Sequence, residues 1–256
     1  MLLSLLLAFV PLIQDPPKPV EPDPAKVKAA VTALKEALAK PDAGPKVRAI
    51  ESAAALHDNE VVVLIGRGLG DKDVGVQKAA IEALRFSTNT KAVVELNARA
   101  KVKAAKEDLA VYAMLIVAIG QHGSPTSIEV LMENPWSTPD MAVLQAKILS
   151  LSRIRTHDAV KALNNLMEIA GVNKIDPFMK DFRLALWALT GADQGESQDL
   201  WQKWYRDNKE KLKVGPVPPT EPKELAAKWK RYWAKPGAEE AGDTPPKDKP
   251  KTGGEK

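Results

Sequence analysis

A recurring helical segment constrains this chain more than any other feature. "ESAAALHD", "AAIEALRF", "LIVAIGQHG", "AKILSLSRI" and "LALWALTGA" align on Leu56, Leu84, Ile119, Leu151 and Leu189, at steps of 28, 35, 32 and 38 residues. After most of them a short polar turn leads into a second amphipathic helix: "TKAVVELNARA", "TSIEVLMEN" and "HDAVKALNNLMEIA". In the last, Ala159, Val160, Leu163, Leu166, Met167 and Ala170 fall on one helical stripe. Asp158, Lys161, Asn165 and Glu168 fall on the other side. A helical pair repeated every ~30 residues cannot bury its apolar face alone, so its neighbours must stack on it. The pattern predicts an all-α fold, a right-handed α-solenoid of about four to five degenerate helical pairs. A four-helix bundle would need fewer and longer helices.

Breaks between the helices carry start signals. Gly44-Pro45 suits a first turn, and Ser124-Pro125 and Thr138-Pro139 read as cap followed by N1 proline. With 45% hydrophobic and 5% aromatic residues, rich in Ala and Leu, the chain favours helices throughout. It has no cysteine, which excludes disulfides, thiolate metal sites and a cysteine nucleophile. Residues 206–256 hold 13 Lys/Arg against 9 Asp/Glu, so the whole net charge of +4 lies there, and residues 1–205 carry 24 of each sign. A neutral body argues against nucleic acid, which needs a basic stripe to displace counterions.

"MLLSLLLAFVPLI" is apolar from Leu2 to Ile13. Twelve residues span ~18 Å as a helix, too short for a ~30 Å hydrocarbon core, and fit the apolar region of a secretory signal. The sequence divides into a signal peptide or N-terminal anchor (1–14), a Pro-rich linker (15–24) and a helical repeat domain (25–210). A second Pro-rich linker (211–222), a Trp-rich helix (223–235) and a disordered tail (236–256) follow. The expected location is the periplasm or cell envelope of a bacterium, with membrane contact only through the N-terminus if it stays uncleaved.

"DKDVGVQKAAIEAL" resembles the HEAT-like repeat pattern, through Asp71, Asp73, Val74, Ala80, Ala83 and Leu84. "LALWALTGADQGESQDLWQKWYRDN" is similar to a closing segment of exported bacterial HEAT-repeat proteins, through Leu189-Thr190-Gly191, Asp193, Gly195, Trp201, Trp204 and Asn208. The resemblance spans roughly residues 25–210 and implies a scaffold or adaptor, with no catalytic residues to carry over.

Three stretches invite a chemical reading. In "VVVLIGRGLGDKD", Asp71 stands where a dinucleotide fingerprint needs its third glycine, so Val61–Leu69 reads as a buried helix with a frayed glycine end. Asp71, Asp73 and Glu82 match three positions of a calcium loop, but Gly75 sits one place early, so helix capping explains the aspartates better. His57, His122 and His157 form no paired motif, and His157-Asp158 lacks a nucleophile elbow.

The tryptophans remain. Trp136 lies in a turn and Trp187 reads as core. Trp201/Trp204/Tyr205 and Trp229/Tyr232/Trp233 are both W-x-x-aromatic-aromatic. Trp201 and Trp204 would cap the open end of the array, whereas Trp229 and Trp233 would dock on the same end or on a partner. Stacked second helices would offer Lys91, Glu95, Arg99, Glu129, Glu133, Lys161 and Glu168 as a protein-binding face, whose mixed signs suit a protein rather than a polyanion. The expected function is a non-catalytic interaction scaffold without cofactor or metal, with a protein partner. Its rivals are a small-ligand-binding or lyase-like subunit, since HEAT-like repeats also occur in bilin lyases, and a structural envelope protein tethered by its N-terminus.

Overall fold

A computed structural model describes residues 22–136, 140–170, 175–217 and 223–235. The signal segment, most of the first linker, the end of the second and the tail lie outside the described residues. Within them the fold is all-helical, with no strand. Its twelve α-helices are α1 (Pro24–Leu38), α2 (Ala43–Ala53), α3 (Asn59–Gly68), α4 (Val74–Arg85), α5 (Lys91–Ala100), α6 (Leu109–Gln121), α7 (Ile128–Met132), α8 (Met141–Arg153), α9 (His157–Ala170), α10 (Met179–Thr190), α11 (Gln198–Asn208) and α12 (Lys223–Trp233). No described helix is long and apolar enough to cross a membrane.

Aspartates start five of them. Asp23, Asp58, Asp73, Asp108 and Asp140 each accept a backbone N–H of the first turn that the helix itself cannot pair. The expected Thr138-Pro139 start of α8 lies outside the described residues. The helix opens after Asp140, whose carboxylate takes the Val143 N–H at 3.0 Å. The "TSIEVLMEN" helix is shorter than its pattern suggests. A 3-10 turn, Pro125–Ser127, precedes five α-helical residues. Asn134 then takes φ of 40° before Pro135, and a residue preceding proline is steered away from helical backbone.

Most helices pack on their sequence neighbour and on the helix after that. The contacts α2–α4, α4–α6, α6–α8 and α8–α10 make one row, the even row. The contacts α1–α3, α3–α5, α7–α9 and α9–α11 make an odd row. Between α5 and α7 the odd row is bridged by Asn97 Nδ2 donating to Ser127 Oγ at 3.0 Å, and by Lys101 and Glu129 at 3.1 Å. One apolar cluster fills the seam between the rows from Val31 to Trp201. Leu84, Ile119, Leu151 and Leu189, the residues on which the repeats align, all lie in it near the ends of α4, α6, α8 and α10. Leu56 lies just beyond α2 and is only half-buried.

The tightest crossing joins α6 to α8. A Cβ at Gly120 would come within 2.5 Å of the Ser150 Cβ and 2.7 Å of its Cα. Ser150 Oγ donates to the Ile116 carbonyl at 2.9 Å across the same crossing. Gly66 likewise lies inside α3 rather than at a frayed end, and its missing side chain admits the Glu95 carboxylate from α5. Gly120→Ala should therefore destabilise the protein by about 2–3 kcal/mol, although alanine favours a helix by about 1 kcal/mol, because the neighbouring backbone must move. At exposed Gly44, next to nothing closer than the Arg48 tip at 3.4 Å, the same change should be neutral or stabilising. Urea unfolding of both variants checks the contrast.

Candidate functional site

The two rows present different outer faces. On the odd row, the seven residues expected to form a binding face divide into two groups. Glu129 pairs with Lys101 at 3.1 Å and Glu133 with Lys106 at 2.9 Å, while Glu95 lies across Gly66. These tie the row together, each exposed pair contributing at most about 1 kcal/mol. Lys91, Lys161 and Glu168 are exposed, and Arg99 is half-exposed, with no ion pair among the described residues. The same row exposes large apolar side chains that its charge pattern did not announce: Val94 on α5 is 61% exposed, Ile169 on α9 67%, and Leu200 on α11 51%.

At the end of the odd row α11 packs on α9. Trp201 is fully buried, its indole N–H donating to the Gly195 carbonyl at 2.8 Å, and Trp204 leans on the same core, edge-on to Trp201. Gln198 Nε2 ties α11 to the Met167 carbonyl at 2.8 Å. Trp136 and Phe178 meet edge-on nearby, and the Trp136 indole donates to Leu166 O.

Part of the even row, on α8 and α10, is covered by the chain's own α12. Trp229 and Trp233, 7% and 6% exposed, pack with Leu149 of α8 and Leu184, Trp187 and Ala188 of α10 in a second apolar cluster. Trp187, expected in the core, is buried here rather than in the seam. The second aromatic triplet thus docks along the side of the row, not on its end. Sequence reasoning had no signal for this choice, because an amphipathic face states that it is buried and not against what.

Cations close the junctions of the even row. His122 Nε2 bonds the Leu84 carbonyl at 3.0 Å, Arg153 Nη2 donates to Gln121 O at 3.3 Å, and Arg155 Nη1 donates to Ala188 O at 2.7 Å. Each meets the carbonyl end of a neighbouring helix, where the backbone dipole favours positive charge. Burial holds His122 below the ordinary histidine range, and its bond to Leu84 O only partly offsets that. Arg155 Nε also donates to Gly215 O at 2.5 Å, fixing the start of the linker to α12. These residues and Trp229 border a cavity of about 380 Å³.

An aspartate of the loop between α3 and α4 caps, as expected. Asp73 caps α4, while Asp71 accepts the Asp73 N–H at 2.9 Å and meets Lys46 Nζ at 2.6 Å. Burial pulls the Asp71 carboxyl up, and the Lys46 and Asp73 contacts outweigh it, so the group titrates below the usual carboxylate range.

Lys147 was not singled out by its sequence, since it reads as one polar residue in an Ala/Leu helix. It is 2% exposed, and Nζ donates to Glu133 O at 2.7 Å. Burial, and Lys106 beside it, bring its pKa down to about 8, against a smaller upward pull from Glu133. Tyr112 next to this cluster is pushed up to about 12 by burial and by Glu133. Between about pH 8 and 10 the folded Lys147 gives up its proton while the unfolded chain keeps it. The unfolded state then binds more protons, so stability rises with pH over that window. Lys147→Met should remove this rise, which urea unfolding at pH 7, 8, 9 and 10 checks.

Among the described residues no cluster of three or more His, Asp or Glu is placed to hold a metal ion. No family model matches the chain, and no curated protein matches it in sequence.

Proposed function

We propose that this chain is a non-catalytic scaffold of the bacterial cell envelope, a right-handed α-solenoid of HEAT-like helical pairs that binds a protein partner along its odd row. The observation that supports this reading is the unequal treatment of the two faces. On the even row α12 covers the apolar patch of α8 and α10 and leaves Val74 and Met141 exposed only at helix starts, whereas the odd row leaves Val94, Ile169 and Leu200 open beside the charges of Lys91, Lys161 and Glu168. Apolar anchors rimmed by charges of both signs match a protein surface better than a polyanion or a lipid headgroup layer. The contacts of α1 to α11 along two rows, most helices meeting the next but one, support the solenoid, because that is how stacked pairs propagate.

Export rests on the apolar N-terminal segment and the prolines after it. Mass spectrometry of the mature N-terminus should find it beyond residue 14; an intact Met1 would favour a tethered protein.

A photo-crosslinking residue at Ile169 or Val94 should capture a partner in the envelope fraction, and one at Lys78, exposed on α4, should not. Lys161→Glu or Glu168→Lys should leave the fold intact and weaken capture roughly fivefold, the effect of about 1 kcal/mol at an interface rim. Capture from Lys78 alone, indifferent to both reversals, would sink the odd-row assignment.

A further inference from the structure

A second cavity, of about 260 Å³, opens on the even row where α4, α6 and α8 meet α12. Its floor is apolar, formed by Ala113, Met114, Val117, Ala142 and Ala146, and Tyr232 of α12 stands over it. Arg85 lies at its edge, with its side chain 12% exposed. His122, Arg153 and Arg155 reach helix carbonyls, but Arg85 does not. Its Nε is buried with no acceptor, its guanidinium stacks on Phe86 at 4.8 Å, and its one carboxylate neighbour, Glu82, is 3.8 Å away, beyond hydrogen-bond reach.

The surroundings add positive field. Arg153 lies over the Trp233 ring at 5.0 Å, and the Trp233 indole N–H is itself buried with no acceptor. Lys235 Nζ sits 5.7 Å from the Phe86 ring. Against these three cations stand Glu82 at the rim and Asp181, which accepts from Gln145 Nε2 at 3.0 and 3.1 Å. A buried donor left unused, Arg85 Nε, at the edge of an apolar floor is the making of a site for an anion with a hydrocarbon body.

We propose that this cavity binds a small organic carboxylate, its apolar body on the α6–α8 floor and its carboxylate on Arg85. A guanidinium presents parallel N–H donors that match the two oxygens of a carboxylate. An inorganic oxyanion lacks the part that would displace water from the alanines and Met114. Tyr232 belongs to α12, so an occupant would also hold that helix on the even row.

The test uses the full chain, with benzoate, hexanoate, inorganic phosphate and chloride at one ionic strength, read by thermal shift and tryptophan fluorescence. Benzoate or hexanoate should raise Tm saturably by several degrees at millimolar concentration, above the chloride baseline. Arg85→Gln should abolish the shift. Ala142→Leu, at an exposed position on the cavity floor, should abolish it too while leaving Tm without ligand near that of the parent. Lys161→Gln, on the other row, should keep it. A response no greater than chloride's, one that survives Arg85→Gln, or one given equally by phosphate would overturn the proposal.

Discussion

Neither row of helices can bury its apolar side without the other, and every described part of the molecule depends on that seam. Ala92 and Leu96 of α5, Leu115 and Ile119 of α6 and Val143 of α8 are buried in a single apolar cluster because short helices of two rows interleave. Where the rows turn over, the crossing of α6 and α8 is so close that only glycine fits at position 120. A helix of ten to fourteen residues is marginal on its own in water, so its stability comes from these contacts and not from propensity. The consequence is an array in which each helix is as stable as its neighbours allow.

Much of this was legible in the sequence, because apolar period and cap residues are local signals. The stripe of α9, the aspartate starts and the reading of Val61–Leu69 as a helix all rest on residues within a few positions of one another. What escaped the sequence depends on partners far along the chain. Lys147 is buried because Glu133 O needs a donor there, and nothing near position 147 says so. Gly66 looked like a helix end and is a contact with Glu95, 29 residues on. The binding-face residues were chosen by helical side alone, so the pairing of Glu129 with Lys101 and Glu133 with Lys106 could not be foreseen. Val94, Ile169 and Leu200 were absorbed into the expectation that apolar means buried.

The two outer faces then follow separate physical courses. On the even row, Leu149, Leu184 and Trp187 would form an exposed apolar patch, and α12 covers them with two tryptophans. Arg155 holds the chain leading to that helix through Gly215 O while its other nitrogens close the end of α10. The same covering encloses the cavity beside Arg85, so the helix that closes one face also shapes its chemistry. On the odd row no helix of the described chain plays that part, and Val94, Ile169 and Leu200 stay exposed.

The central claim is that α12 covers the apolar patch of the even row and leaves the odd row uncovered. Hydrogen exchange of the full chain against a chain ending at Val217 tests it most directly. The account predicts faster exchange confined to the even row, greatest in α8 and α10, with α5, α9 and α11 unchanged. Equal exchange in α8 and α10 with and without α12, or an opening that spreads to the odd row, would contradict it.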